Sequence, residues 1–292
     1  MIDSMFEPDT ADIEHRRPCV LTIAGSDPSG GAGLQADLQT CAVHGVAAAA
    51  VVTLLTVQNT VAVTGVQLVD TDLVMRQLDA VLDDTQIDAI KLGALGCRET
   101  IIAVAERLAT IDVPIIVDPV MVSKHGDGLL PEDAIDAVRD WLLPLATLLT
   151  PNRHEIECLA NHSIAIGEID AQAISSLLSK QFGSVGKTPP SILVKNVRDD
   201  AATDVLWHQR AHYIYESPRI ERPNVHGSGC VLSAAIAAII ARHRRFSTDS
   251  IATELPNLIE RAIRWSRAAI SSPYRRGEGI SPPDVHATIP PI

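Results

Sequence analysis

CVLTIAGSDPSGGAGLQADLQT, at Cys19–Thr40, reads as strand, turn and helix in immediate succession. Cys19–Ala24 is a short apolar run of strand length. It ends in Gly25-Ser26-Asp27-Pro28-Ser29-Gly30-Gly31-Ala32-Gly33, where glycines permit tight turns and close backbone approach. A helix follows over Gly33–His44. The glycine order matches neither GxGxxG nor GxxxxGK[ST]. Two readings stay open for the loop: a structural turn, or a cover over a ligand. Asp37 lies inside the helix. It is a solvated carboxylate, or a substrate acceptor if the helix start faces a cleft.

The same alternation continues along the chain. Val46–Leu55 and Val61–Leu68 read as strands, Thr71–Asp84 as a helix, Ala89–Leu92 as a strand and Arg98–Ala109 as a helix. Val113–Val117 is β-branched and apolar. Glu132–Leu142 is a helix opened by Pro131. Thr147–Leu149 is a strand and Asn152–Ala160 a helix. Ile169–Phe182 is a further helix and Gly183–Pro190 a loop. Ser191–Lys195 is a strand, and Val205–Trp207 with Tyr213–Ser217 form a strand pair. Gly227–Ala241 is a long Ala/Ile-rich helix, and Ile251–Ile270 a final helix or pair. Strands spaced by helices of this length predict βαβ units on a mainly parallel sheet, an α/β fold. The expected organisation is a leader over 1–18, a single domain over 19–281 and a tail over 282–292. The candidate motifs follow strand ends, where open α/β sheets bind ligands.

Composition narrows the function classes. Apolar residues make up 46% of the 292 and charged residues 21%, which excludes global disorder. Aromatics are only 3%, a poor basis for a stacking platform on single-stranded nucleic acid. Net charge is 24 − 36 = −12, so nucleic acid and anionic membranes are disfavoured as partners. The five scattered cysteines contain no CxxC pair and make no disulfide framework. With no signal-peptide pattern and no membrane-length apolar run, the expected location is the cytoplasm.

Six polar sites carry candidate chemistry. Gln58-Asn59-Thr60 is a turn, or an amide poised to read a heteroaromatic ring. Asp118-Pro119-Val120-Met121 ends a strand, so Asp118 is a cap or a Mg²⁺ ligand, direct or through water. In Thr150–Glu155, Asn152 and Glu155 have capping-box spacing, while Glu155 also suits a water near a Mg-nucleotide. Lys195 ends a strand and either snorkels to solvent or neutralises phosphates. Lys124 and His125 lie in a further loop of phosphate-facing composition. The sharpest signal is His226-Gly227-Ser228-Gly229-Cys230 before a helix. Backbone N–H groups and the helix dipole there form an anion site, which predicts a depressed Cys230 pKa. An ordinary cap with a buried cysteine is the alternative.

These fragments in this order resemble the hydroxymethylpyrimidine/phosphomethylpyrimidine kinases, within the ribokinase-like superfamily. The carriers are Leu21–Thr40, VQNT at Val57–Thr60, KLG at Lys91–Gly93, VDPVMVSKHGDGLL at Val117–Leu130, TPNRHE at Thr150–Glu155 and HGSGCVLSAA at His226–Ala235. The resemblance implies a three-layer α/β/α fold, a homodimer, and ATP with Mg²⁺. It implies phosphorylation of 4-amino-5-hydroxymethyl-2-methylpyrimidine, then of its monophosphate. By the same resemblance Gln58 reads the aminopyrimidine, and Gly25, Asp37, Ala94 and Val120 border its pocket. Cys230 is the catalytic position, and Gly227, Ser228 and Gly229 supply the anion hole. Asp118 and Glu155 stand near the metal, with Lys195, Asn152 and Glu155 on the nucleotide. The chain departs from the family twice. Asn196-Val197 replaces two glycines after Lys195, which predicts a crowded or displaced nucleotide loop. Ala94 replaces a pocket methionine and leaves room for a larger ring substituent. A pyridoxal-type kinase and a pyrimidine-binding regulator with weak turnover are the alternatives.

Overall fold

Leu21 and Ile23 pack into one hydrophobic cluster and Val20 into another, on opposite faces of one strand. A side-chain period of two, apolar on both faces, requires a sheet covered on both sides. The computed structural model describes residues 16–121, 130–160, 189–197, 202–218, 220 and 225–287. Within them lie β1 (Cys19–Ser26), α1 (Gly33–Val43), β2 (Ala47–Gln58), β3 (Val63–Leu68), α2 (Thr71–Asp84), β4 (Ala89–Leu92), α3 (Arg98–Leu108) and β5 (Ile115–Val117). They continue with α4 (Glu132–Ala137), β6 (Leu148–Leu149), α5 (Arg153–Ala160), β7 (Ser191–Val194), β8 (Ala202–His208), β9 (Ala211–Ser217), α6 (Ser228–Phe246) and α7 (Ile251–Ser271).

The described strands form one sheet in the order β3-β2-β1-β4-β5-β6-β7-β8-β9. The run from β2 to β7 is parallel; β3, β8 and β9 are antiparallel. One cluster gathers residues of α2, α3, α4 and α5; the other gathers residues of α1, α6 and α7. This is the expected three-layer arrangement. The order reverses direction between β1 and β4, and such switch points open a crevice at the carboxyl ends of the strands.

Several element boundaries differ from expectation for local reasons. The helix expected over Glu132–Leu142 is α-helical only to Ala137. A π turn follows over Val138–Leu142, then a 3-10 turn over Leu143–Leu145. Pro144 withholds the N–H that would prolong the helix. Arg139 is anchored there by bonds to the Leu159 and Cys158 carbonyls. The last helix is a single one despite Pro256 in its interior. The missing Pro256 N–H releases the Ala252 carbonyl, which lies 2.6 Å from the His208 ring. Thus β8 is tied to α7 through the bond that proline cannot make.

Cys19 and Cys41 are buried in the core, whereas Cys97, Cys158 and Cys230 are partly exposed. Residues 1–15 of the expected leader lie outside the described residues; Arg16 pairs with Asp88. The helix expected over Ile169–Phe182 and the Lys124-His125 loop also lie outside them, as does most of the loop Gly183–Pro190. In the expected tail Val285 is buried, and Asp284 N donates to Ala269 O. Among the described residues no helix is long and apolar enough to cross a membrane.

Candidate active site

A cavity of about 440 Å³ opens at the carboxyl ends of the parallel strands. Gly25 and Ser26 enter it from β1, Gln58 from β2, Lys91 and Ala94 from β4 and its continuation, and Asp118 and Val120 from beyond β5. Asn152 and Glu155 come from the start of α5, Lys195 from the end of β7, and Gly227–Cys230 from the start of α6. Among the described residues, the structure therefore gathers the site residues that the resemblance implies around one space, except Asp37.

Asp37 is fully buried in α1 and does not line the cavity. Its carboxylate faces Lys91, with Nζ at 2.8 and 3.1 Å from its two oxygens, and accepts from Thr22 Oγ1 at 2.6 Å. Both the solvated reading and a direct substrate contact are corrected. The side chain points to the sheet rather than to the cleft. Burial pushes the Asp37 carboxyl up, while Asp37 raises Lys91 against the pull of burial. The two-oxygen contact and the Thr22 bond favour the ionised pair.

The α6 N-terminus is built on a close approach. Gly227 has φ +86°, and a Cβ there would lie 1.9 Å from the Gly31 carbonyl oxygen. Only glycine permits both. No side chain caps the helix, so the N–H groups of Ser228, Gly229 and Cys230 face the cavity at the positive end of the dipole. Cys230 departs from expectation. Burial pushes its thiol up to about 11, although Lys91 and a backbone hydrogen bond from Gly33 act to lower it. The sulfur is partly exposed where it lines the cavity, and its desolvation opposes the pull of the helix start.

Under this turn lies a second buried pair. Lys195 Nζ donates to Asp118 Oδ1 at 2.8 Å, Thr150 Oγ1 to the same oxygen at 3.2 Å, and Ser233 Oγ to Asp118 Oδ2 at 3.1 Å. Burial would raise Asp118, but Lys195 and Lys91 hold it below the usual carboxylate range. Asn152 and Glu155 form the capping box: Asn152 N donates to Glu155 Oε2 at 2.7 Å, and Glu155 N to Asn152 Oδ1 at 2.9 Å. Burial pushes the Glu155 carboxyl up to about 7. Both acidic groups already accept hydrogen bonds, and no cluster of three His, Cys, Asp or Glu suited to a metal occurs among the described residues. This donor set fits a cation held through water and phosphate oxygens rather than an all-protein cage.

Sequence reasoning passed over Asp27 and His226. Asp27 accepts from the backbone N–H groups of Ser29, Gly31 and Ala32 and so folds the glycine loop. His226 Nε2 lies 2.9 Å from Asp27 Oδ2 and 2.6 Å from Gln58 Nε2. One nitrogen cannot donate to Asp27 and accept from Gln58 at once, so the ring tautomer sets which bond forms. The Asp27-Pro28 turn and the His226-Gly227 step were the available signals. Asp204, Ser266 and Arg267 also line the cavity, from β8 and α7, with no local motif to mark them.

After Lys195, Asn196 lines the cavity. Asn196 takes φ +50°, the left-handed region that asparagine tolerates, and its N–H donates to Asp204 Oδ1 at 2.8 Å. Val197 turns into the core.

A three-layer sheet with an uncapped helix start and buried lysines at its strand ends defines a kinase of the ribokinase-like class. Solved relatives share the fold. Pyridoxal kinase from Staphylococcus aureus in complex with ADP superposes with a TM-score of 0.78 at 27% identity, covering 94% of this chain and 95% of that one. Phosphomethylpyrimidine kinase from Clostridium difficile 630 gives 0.67 at 32% identity, covering 84% and 97%. Within this class the chain belongs to the phosphomethylpyrimidine kinase family, whose profile matches residues 27–284. The hydroxymethylpyrimidine/phosphomethylpyrimidine kinase of Rhizobium meliloti (strain 1021) is 39% identical over 267 residues, 90% of this chain and 94% of that protein. That of Escherichia coli (strain K12) is 37% identical over 274 residues, covering 91% and 97%.

Proposed function

We propose that this chain transfers the γ-phosphoryl group of ATP to a hydroxymethylpyrimidine, then to the resulting monophosphate. The observation that carries this reading is the uncapped turn Gly227–Cys230, aimed into a cavity that Gln58 also lines. The N–H groups of Ser228, Gly229 and Cys230 stabilise the equatorial oxygens of the transferring group. Lys195, fixed by Asp118, neutralises donor phosphate. Gln58 reads the ring amino group, its amide lying against the His226 ring. Gly25, Ala94 and Val120 wall the ring. Asn152 and Glu155 border the nucleotide. Asp118 and Glu155 would hold Mg²⁺ through water, and the ion would supply charge neutralisation between donor phosphates. The acceptor oxygen forms the new P–O bond as the bond to ADP breaks. Cys230 stands at that oxygen as a thiol that orients it. The alcohol proton departs with the transferred group's oxygens or to solvent.

The working unit of this reading is a single cytoplasmic domain over residues 19–281, paired as a homodimer. Leu55, Val57, Val61, Val66 and Leu68 support the pairing, since they expose apolar surface on and beside the β2–β3 hairpin. A pyridoxal-type activity is the second reading. It is favoured by the space at Ala94 and by the likeness to the Staphylococcus aureus enzyme.

Mass analysis of products from Mg-ATP with each acceptor tests both readings. Monophosphate and diphosphate of the pyrimidine are expected. Pyridoxal phosphate alone would favour the second reading, and no product from nucleotide-binding protein would favour a binding-only role.

A further inference from the structure

Lys91 lies between Ile90 and Leu92, which both pack under α2 and α3. The strand period of two therefore turns Lys91 to the opposite face, toward α1, where it meets Asp37. Lys91, Asp37 and Thr22 are 1%, 0% and 0% exposed. A buried ion pair is a weak source of stability, because well-packed apolar residues commonly replace one without loss. The pair calls for another role.

Its geometry is one-sided. Lys91 lines the cavity, and Asp37 does not. The Asp118–Lys195 pair differs, since both of its members line the cavity. Gly93 accounts for the opening beside Lys91. A Cβ at 93 would lie 2.9 Å from Lys91 Nζ and 2.9 Å from the Ala24 Cβ. Ala24 and Ala94 are both cavity walls, so a larger residue at 93 would fill the space between them and the ammonium. The Lys91–Asp37 dipole thus presents its positive end to the cavity, on the side of Cys230, with its negative end withdrawn into α1. The remaining lining includes four carboxylates, Asp27, Asp118, Glu155 and Asp204, against Lys195 and Arg267. Lys91 adds a third cation to this lining while its carboxylate partner stays outside it, so it lessens the repulsion that an anionic acceptor meets.

We propose that Lys91, backed by Asp37, determines acceptor selectivity, favouring a phosphate monoester over the uncharged alcohol at the same position. This rests on the two-step kinase reading above. The Lys91-Leu92-Gly93 segment then supplies a fixed cation at the cavity wall, beside a glycine whose missing Cβ leaves space at the ammonium.

The test is calorimetric binding of the pyrimidine alcohol and of its monophosphate without ATP, with turnover of each measured in parallel. Lys91→Met should lower monophosphate affinity relative to alcohol by about tenfold. Asp37→Asn leaves the ammonium uncompensated and should move the same ratio the other way. A merely structural pair would weaken both ligands together in both variants. If Lys91→Met fails to fold, the double variant Lys91→Met/Asp37→Leu replaces the pair by an apolar one and should show the Lys91→Met ratio. An unchanged ratio in every folded variant overturns the inference while the kinase reading stands. A wild-type protein that binds neither pyrimidine overturns both.

Discussion

At the scale of single residues, Cys230 and Glu155 are decided by burial. Proximity to a helix N-terminus lowers a thiol pKa, and desolvation raises it. Here desolvation outweighs the helix start and pushes Cys230 up to about 11. Alkylation of Cys230, followed by peptide mass mapping, should be slow at pH 7 and rise about tenfold per pH unit beyond 9. A plateau by pH 8 would mean a thiolate and restore a base role. Glu155 carries the opposite sign from a salt-bridged carboxylate. Burial raises its folded pKa from 4.5 to about 7, so the native state holds a proton that the unfolded chain has lost. Stability is then highest below about pH 4.5 for this group and falls as pH rises through 7, by about 1–3 kcal/mol. Glu155→Gln removes that loss. Its Tm relative to wild type should be higher at pH 8 than at pH 5, and an equal offset at both would contradict the assignment.

At the scale of elements, the segment after β7 shows how a departure from a family pattern is absorbed. Lys195 is followed by Asn196 at φ +50° and by Val197 in the core. A glycine at 196 relieves the strained dihedral but loosens the unfolded chain. Asn196→Gly should therefore change stability by less than about 1 kcal/mol. Val197→Gly removes packed methyl groups and should cost about 2 kcal/mol or more. Urea unfolding of the two variants distinguishes them, and a cheap Val197→Gly would show that the valine is not a core residue. Of this segment the sequence disclosed the strand and its terminal lysine. The direction of the Val197 side chain depends on the β8 register, through Val197 N to Thr203 O, and no local pattern encodes that.

At the scale of the molecule, the β2–β3 hairpin leaves an apolar surface at one end of the sheet. Sedimentation should give a dimer for the wild type. Val57→Asp combined with Val66→Asp should give a folded monomer, since both residues are more than two fifths exposed. A wild-type monomer would refute the proposed pairing. The hairpin also carries Gln58 beside its turn, so dimer formation and the ring-reading wall share one element.

The sequence by itself determined the layer architecture, because strand and helix periods, turn glycines and the capping box are local signals. It also determined the family, through motifs kept in order, and the set of strand-end groups that converge. Only the tertiary structure decided the partners. Asp37 is separated from Lys91 by 54 residues and Asp118 from Lys195 by 77, and nothing local to either residue names the other. The surroundings that push the Cys230 thiol and the Glu155 carboxyl up are likewise visible only there. Burial is a property of everything packed around a group, and desolvation outweighed the local cues of helix start and cap that the sequence displayed.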